Sequence, residues 1–172
     1  MIGDIREEKF MLSNFVYLEA PNRLSPGTIK DWQRTVFLAG SITGAVDWQQ
    51  EAKEMLSPYF NVFNPRRANY PHFDPAKERE QILWEHDHLE LAPIIVFYFA
   101  PETLAPITLY ELGKILATLP YKPYKKAYIA IHPDYKRKND VIIQTELLSK
   151  ETAKRTCFSL SEMLELVIKE NK

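Results

Sequence analysis

The sequence predicts an α/β protein with a central, mostly parallel sheet of about five strands, covered by helices on both faces. Two observations lead there. Short continuous apolar runs, TVFLA at 35–39, IIVFYF at 94–99 and AYIAI at 127–131, each end at glycine or proline punctuation, as expected of strands buried on both sides. Between them lie segments of helical period, and strand–helix–strand alternation is the pattern of a parallel sheet with crossover helices.

The elements follow in order. Residues 1–34 form an N-terminal lead-in with Pro21, Pro26 and Gly27 as turn signals, and FVYLEA at 15–20 reads as a short strand or an edge arm. This lead-in is expected to pack over the domain or against a neighbouring subunit. After TVFLA comes GSITGAVDW, where Gly40 and Gly44 free the backbone to turn and Ser41 and Thr43 add hydroxyls. Asp47 with Gln50 resembles a capping box, so a helix is expected from Trp48 to Leu56. Tyr59 to Phe63 reads as the second strand, closed by Asn64-Pro65-Arg66-Arg67. Asp74-Pro75 supplies an N-cap and an N1 proline for the next helix. IIVFYF should be the central strand, and Pro106 should open the helix that follows it. Val141 to Leu147 reads as a fifth strand. Ser159 and Glu162 form a capping box, with Phe158 and Met163 as a hydrophobic staple, for a terminal helix whose inner face is Leu160, Leu164, Val167 and Ile168.

Composition narrows the function classes. With 172 residues, 45% hydrophobic and 26% charged, the chain 1–172 is expected to form one globular domain. The balance of 22 basic and 23 acidic residues gives a net charge of -1, so no polymeric nucleic acid is expected as a partner. The single cysteine, Cys157, cannot form an internal disulfide and is expected to pack. The acidic start MIGDIREEKF lacks the basic, apolar pattern of a secretion signal, and no run approaches the ~20 apolar residues of a membrane span. A cytoplasmic location is the expectation.

Chemistry concentrates between Ile82 and Gly113. Ile82, Leu89 and Ala92 mark an apolar stripe on the first helical segment, and Glu85 falls on it. On the second segment Ile107 and Ile115 lie four residues either side of Glu111, with Leu104 and Thr118 flanking the same face. Two glutamates therefore turn inward around one strand. A carboxylate in such a position is costly to bury charged, and desolvation moves its pKa toward the range useful for proton transfer. The alternative is that each reaches the edge of its stripe and stays solvated. His86 and His88, two residues apart, face different ways, so no metal site is expected; His86, Asp87 and Glu90 are assigned to the solvated side. Around the strand ends, Gly40, Ser41, Thr43, Asn64 and Arg66 stand where open α/β sheets bind ligands, and Trp48 is placed to stack on a base or to enter the core.

The motifs FLAGSITG, NPRR, the Trp84-Glu85 pair and PITLYELG, in this order, resemble the nucleoside 2-deoxyribosyltransferase-like family and, more distantly, the deoxynucleoside monophosphate N-glycosidases of the same superfamily. The resemblance spans about Val36 to Leu119. It implies a flavodoxin-like three-layer sandwich, with Glu111 as the nucleophile that attacks the anomeric carbon of a deoxynucleoside. Glu85 stands in the place of the second acid, and Gly40, Ser41 and Thr43 in the loop that contacts the substrate. It implies a small-molecule nucleoside or nucleotide partner, no cofactor and a homo-oligomer, since the family's sites are commonly completed by a neighbouring subunit. The chain departs from the family pattern at Pro93, where Asp is common, at Ala105, where the well-studied transferases carry an acid, and at Pro106-Ile107-Thr108-Leu109, where glycines are usual. Four readings stay open: a deoxyribosyltransferase, a hydrolase of deoxynucleoside monophosphates, a nucleotide-binding module without turnover, and a structural or partner-binding α/β domain in which Glu85 and Glu111 are solvated and far apart.

Overall fold

The computed structural model describes residues 15–67 and 74–172. Six strands form one sheet: β1 (Tyr17–Glu19), β2 (Thr35–Gly40), β3 (Asn61–Asn64), β4 (Ile94–Phe99), β5 (Lys126–Ile131) and β6 (Thr156–Cys157). Their spatial order is β1-β3-β2-β4-β5-β6, and every pairing is parallel. Leaving aside the edge strand β1, this is the doubly wound order of flavodoxin-like proteins. The IIVFYF run is the most deeply placed strand, paired with β2 on one side and β5 on the other, and all six of its residues are buried.

Strand order reverses between β2 and β4, and the helices divide accordingly. On one face α1 (Trp48–Leu56) and α6 (Leu160–Asn171) pack through Ala52, Leu56, Met163, Leu164 and Val167. On the other lie α2 (Pro75–Leu91), α3 (Pro106–Thr118) and α4 (Lys138–Leu148), contributing Trp84, Leu89, Leu112, Ile115, Leu116 and Val141. A one-turn helix, α5 (Lys150–Ala153), leads into β6.

The capping residues act largely as their types demand. Asp47 accepts from Gln50 N–H at 3.3 Å, Asp74 from Ala76 N–H at 3.0 Å, and Ser159 from Glu162 N–H at 3.3 Å. Neither capping box closes reciprocally: the Gln50 amide turns to Glu54, and Glu162 accepts instead from Phe158 N–H. The C-terminus of α2 is closed by a residue far along the chain. Lys125 is buried and donates to the carbonyls of Leu89, Glu90 and Ala92 at 2.9, 3.1 and 2.6 Å, satisfying acceptors a helix end leaves open. Burial pushes this ammonium down to about 8.

Three expectations are corrected. The segment 141–147 is not a strand but part of α4, because its inward residues, Val141 and Thr145, are four apart while Ile143 and Leu147 face solvent. The last strand is instead the two-residue β6, so the sheet has six strands. On α2, Ile82 is 57% exposed and the buried face runs through Gln81, Trp84, His88 and Leu89. On α3, Ile107 is 64% exposed and Leu104 also faces out; the buried face is Thr108, Leu112, Ile115 and Leu116. In both helices the true face is rotated from the expected one, and it leaves Glu85 and Glu111 at its edge, half-buried.

In the lead-in, Leu18, Ala20 and Ile29 enter the core on the α2 side; residues 1–14 lie outside the described part. Cys157 is buried, which pushes its thiol up to about 11. Among the described residues no helix is long and apolar enough to cross a membrane.

Candidate active site

Ligands of doubly wound sheets bind outside the carboxyl ends of the strands, at the point where strand order reverses. Here that point lies between β2 and β4, and the two following loops are joined across it. Ser41 Oγ, after β2, lies 2.5 Å from Thr103 Oγ1, after β4. Gly44 adopts φ +75°, a conformation that favours glycine, and an added Cβ would sit 3.4 Å from the Thr103 methyl. Thr43 is exposed on the same loop.

Gly40 is required for a different reason. A Cβ there would lie 2.5 Å from the Trp48 ring and 2.8 Å from the Tyr98 carbonyl oxygen. Trp48 is 2% exposed, tilts against Tyr98 and donates its indole N–H to Ser41 O at 3.0 Å. The expectation that this ring stacks on a base is corrected: it supports the loop from beneath, because its apolar bulk belongs to the α1 core. Gly40→Ala is expected to lower stability by about 1–3 kcal/mol through overpacking, read as a lower urea midpoint.

Asn64 and Arg66 also have protein partners. Asn64 is buried, donating to the Tyr17 hydroxyl at 2.8 Å and accepting from Arg66 N–H at 2.9 Å. Arg66 Nε bonds Gln49 Oε1 at 2.9 Å and pairs with Asp47 at 3.3 Å, while Nη2 reaches Ile42 O and Val46 O, both at 3.2 Å. Its planar fork thus ties the glycine-bearing loop to the end of β3. Gln49, fully buried, completes this brace by donating to Ser41 O at 3.4 Å. Nothing in the sequence around Gln49 separates it from an ordinary helical glutamine.

The two glutamates meet through helix geometry. The helix α2 begins at Pro75, and Gln81, six residues on, donates its Nε2 to Pro65 O at 2.7 Å, just past the end of β3. Residues 75–80 are exposed. Glu85 is one turn further, ~6 Å along the axis from Gln81, rather than the ~15 Å that counting from Pro75 implies. Glu111, five residues into α3, lies ~8 Å from its own helix start. Both helices run back from the carboxyl edge, and the Glu85 carboxylate acts electrostatically on that of Glu111.

Gln81 Nε2 also donates to Glu85 Oε1 at 2.8 Å, and Gln81 Oε1 accepts from Arg67 Nη1 at 3.3 Å, with Arg67 in turn paired to Glu80 at 3.1 Å. The i−4 spacing of Gln81 from Glu85 is the sequence signal for this contact. Burial pushes Glu85 above the ordinary carboxylate range, offset in part by the Gln81 amide. Burial first, and the neighbouring Glu85 carboxylate second, push Glu111 up to about 8, with Lys114 pulling the other way. Two like charges at close range cannot both ionise freely, so the pair retains a proton near neutral pH.

A linkage prediction follows from this sign. A raised carboxyl pKa adds stability that is fully present below the ordinary value of 4.5 and is lost as pH rises through about 8. Glu111→Gln cannot ionise, so its stability relative to wild type is expected to increase steadily from about pH 5 to about pH 8. Parallel urea titrations check this; a pH-independent difference would show that Glu111 is not desolvated.

Among the described residues no group of three or more His, Cys, Asp or Glu side chains could hold a metal ion. His88 is buried and stacked on Trp84 at 3.9 Å, with Nδ1 2.7 Å from Trp84 O, while His86 is exposed. A recess of about 550 Å³ between Arg23–Gly27, Trp32 and the last turns of α2 is lined by neither glutamate.

Fold and site together define the class: a doubly wound α/β protein with two electrostatically coupled glutamates on the helices that flank its central strand. The chain belongs to the nucleoside 2-deoxyribosyltransferase-like family, whose model matches residues 33–135. That span holds β2 to β5 and both glutamates. A comparison with curated proteins finds none that matches.

Proposed function

We propose that the protein cleaves or transfers the N-glycosidic bond of a deoxynucleoside or its nucleotide through a covalent ester on Glu111. Family membership supports glycosyl transfer as the reaction class. The observation that carries the assignment to residues is the coupled, half-buried pair of Glu85 and Glu111 on adjacent helices.

In the first step a carboxylate oxygen of Glu111 attacks C1′ as the C1′–N bond breaks. The bonding pair leaves with the base, which takes a proton from Glu85. In the second, an acceptor base or water attacks C1′ from the vacated side, Glu85 accepts its proton, and the ester C–O bond returns its electrons to Glu111. Two inversions give net retention. The absence of a 2′-hydroxyl assists, because that electron-withdrawing group would oppose positive charge at C1′. The resting pair shares a proton near neutral pH, since burial and the Glu85 carboxylate push Glu111 up to about 8. Reaction requires that proton on Glu85 and Glu111 as the anion, a distribution favoured as positive charge develops at C1′ beside Glu111. Ser41, Thr43 and Thr103 are the hydroxyls assigned to sugar or phosphate.

The test is incubation of wild type and Glu111→Ala with deoxynucleosides and their 5′-monophosphates, with and without an acceptor base, followed by chromatography. Exchange or release that disappears in the variant supports the reading, and dependence on acceptor separates transferase from hydrolase. No turnover by wild type across the panel leaves a nucleotide-binding module.

We infer that the protein acts as a homo-oligomer. The helices α2, α3 and α4 expose Ile82, Leu83, Ile107, Ile143, Leu147 and Tyr110, the last 73% exposed, and such apolar surface is costly to leave in water. Light scattering is expected to give a mass at least twice the 20.1 kDa of one chain; a monomer would remove the partner subunit from the site.

A further inference from the structure

Glu111 has a cation one helical turn away that the reaction scheme does not use. Lys114 is three residues after Glu111 on α3, a spacing that makes the two side chains neighbours on the helix surface. It is not free to sweep through solvent. Its Nζ lies 2.8 Å from Glu90 Oε1 and 3.4 Å from His86 Nδ1, both on α2. Glu90 is held in turn by Lys122 through its other oxygen. The three side chains are about equally shielded, 30%, 27% and 29% exposed, so this cluster is screened less than a surface ion pair.

The arrangement bridges the two helices that carry the glutamates. Glu85 and Glu90 lie on α2, Glu111 and Lys114 on α3, and the Lys114–Glu90 pair links them just beyond the carboxyl pair. We propose that Lys114 is a positioning residue for Glu111: tethered to α2 through Glu90, it holds a positive charge beside the nucleophile and keeps that carboxyl available as the attacking anion. The inference rests on the glycosyl-transfer reading for its kinetic consequence but not for its electrostatic one. It explains how a carboxyl disfavoured as an anion by burial and by Glu85 still supplies the anion, since Lys114 is the group that acts in the opposite sense.

The titratable groups around this point are Glu85, His86 and Glu90 from α2, and Lys122 and Lys125 beyond α3. Lys122 supplies the control, because it carries the same charge and pairs with the same Glu90, whereas among the described lysines it is Lys114 that lies one helical turn from Glu111 and lowers its pKa. Lys114→Met should move the acidic limb of the kcat/KM profile upward by about one pH unit, and Lys114→Arg should restore it. Lys122→Met should move it far less. Equal displacement by the two Met variants, or none by Lys114→Met, would overturn the proposal.

A carboxyl-carbon NMR titration of Glu111 in the same proteins, without substrate, separates the two levels of the argument. A higher Glu111 midpoint in Lys114→Met than in wild type supports the positioning role even if no tested nucleoside turns over, in which case only the functional reading fails. An unchanged midpoint overturns the role even if the enzyme is active.

Discussion

Glu111→Gln is expected to lower base release or exchange by about 10⁴-fold or more, since it removes the nucleophile and leaves only binding and proton transfer. That loss corresponds to roughly 5.5 kcal/mol of transition-state stabilisation. The fold should tolerate the change. Glutamine has the shape of glutamate, and the substitution removes a repulsion with Glu85 from a desolvated site. Glu85→Gln should cost less, about 10²- to 10⁴-fold, as expected for a proton donor. The Glu85→Gln loss should shrink for substrates whose leaving base needs no protonation, while the Glu111→Gln loss should not. Equal activity of Glu111→Gln and wild type, measured on a substrate that wild type turns over, would place the nucleophile elsewhere.

The largest effect on stability is expected from Trp84→Ala, at about 3–5 kcal/mol. Trp84 is fully buried, donates its indole N–H to Asn22 O at 2.7 Å, stacks on His88 and tilts against Phe37 with ring centroids 6.4 Å apart. It therefore joins the 15–34 segment, α2 and β2 in one contact set. Against a total stability of about 5–15 kcal/mol, this loss is a large fraction. Trp84→Phe should recover most of the packing and give up chiefly the hydrogen bond, about 1 kcal/mol. Urea midpoints of the three proteins test the order; a midpoint for Trp84→Ala within error of wild type would contradict the burial. Because Glu85 is the next residue, Trp84→Ala should also reduce activity in protein that remains folded.

What a linear reading recovers depends on how local the cause is. TVFLA, IIVFYF and AYIAI announce strands because continuous burial on both faces demands apolar residues at every position. Asp47, Asp74 and Ser159 mark helix starts because caps satisfy groups within a few residues, and Pro106 marks one because its fixed φ suits the first helical position. The segment 141–147 misleads because β-branched and apolar residues suit a strand, while α4 buries little of its length and leaves a weak helical period. On α2 the apolar residues Ile82 and Leu83 face out and the polar residues Gln81 and His88 face in, so hydrophobicity points to the wrong face. His88 is accepted there because Trp84 supplies both a stacking surface and an acceptor.

By itself the sequence determined the alternating architecture, the central strand, the starts of α1, α2, α3 and α6 and the nomination of Glu85 and Glu111, all of which rest on composition, short-range spacing or motif order. Only the tertiary structure decided how deep each glutamate lies and what surrounds it. The anchoring of α2 one turn before Glu85 depends on Gln81 meeting Pro65, sixteen residues away. The brace of Arg66 on the Ser41 loop, the closure of α2 by Lys125 and the bridge from Lys114 to Glu90 join residues 20 or more positions apart. Such contacts exist only once the sheet has set the helices side by side, and no local pattern in the chain encodes their partners.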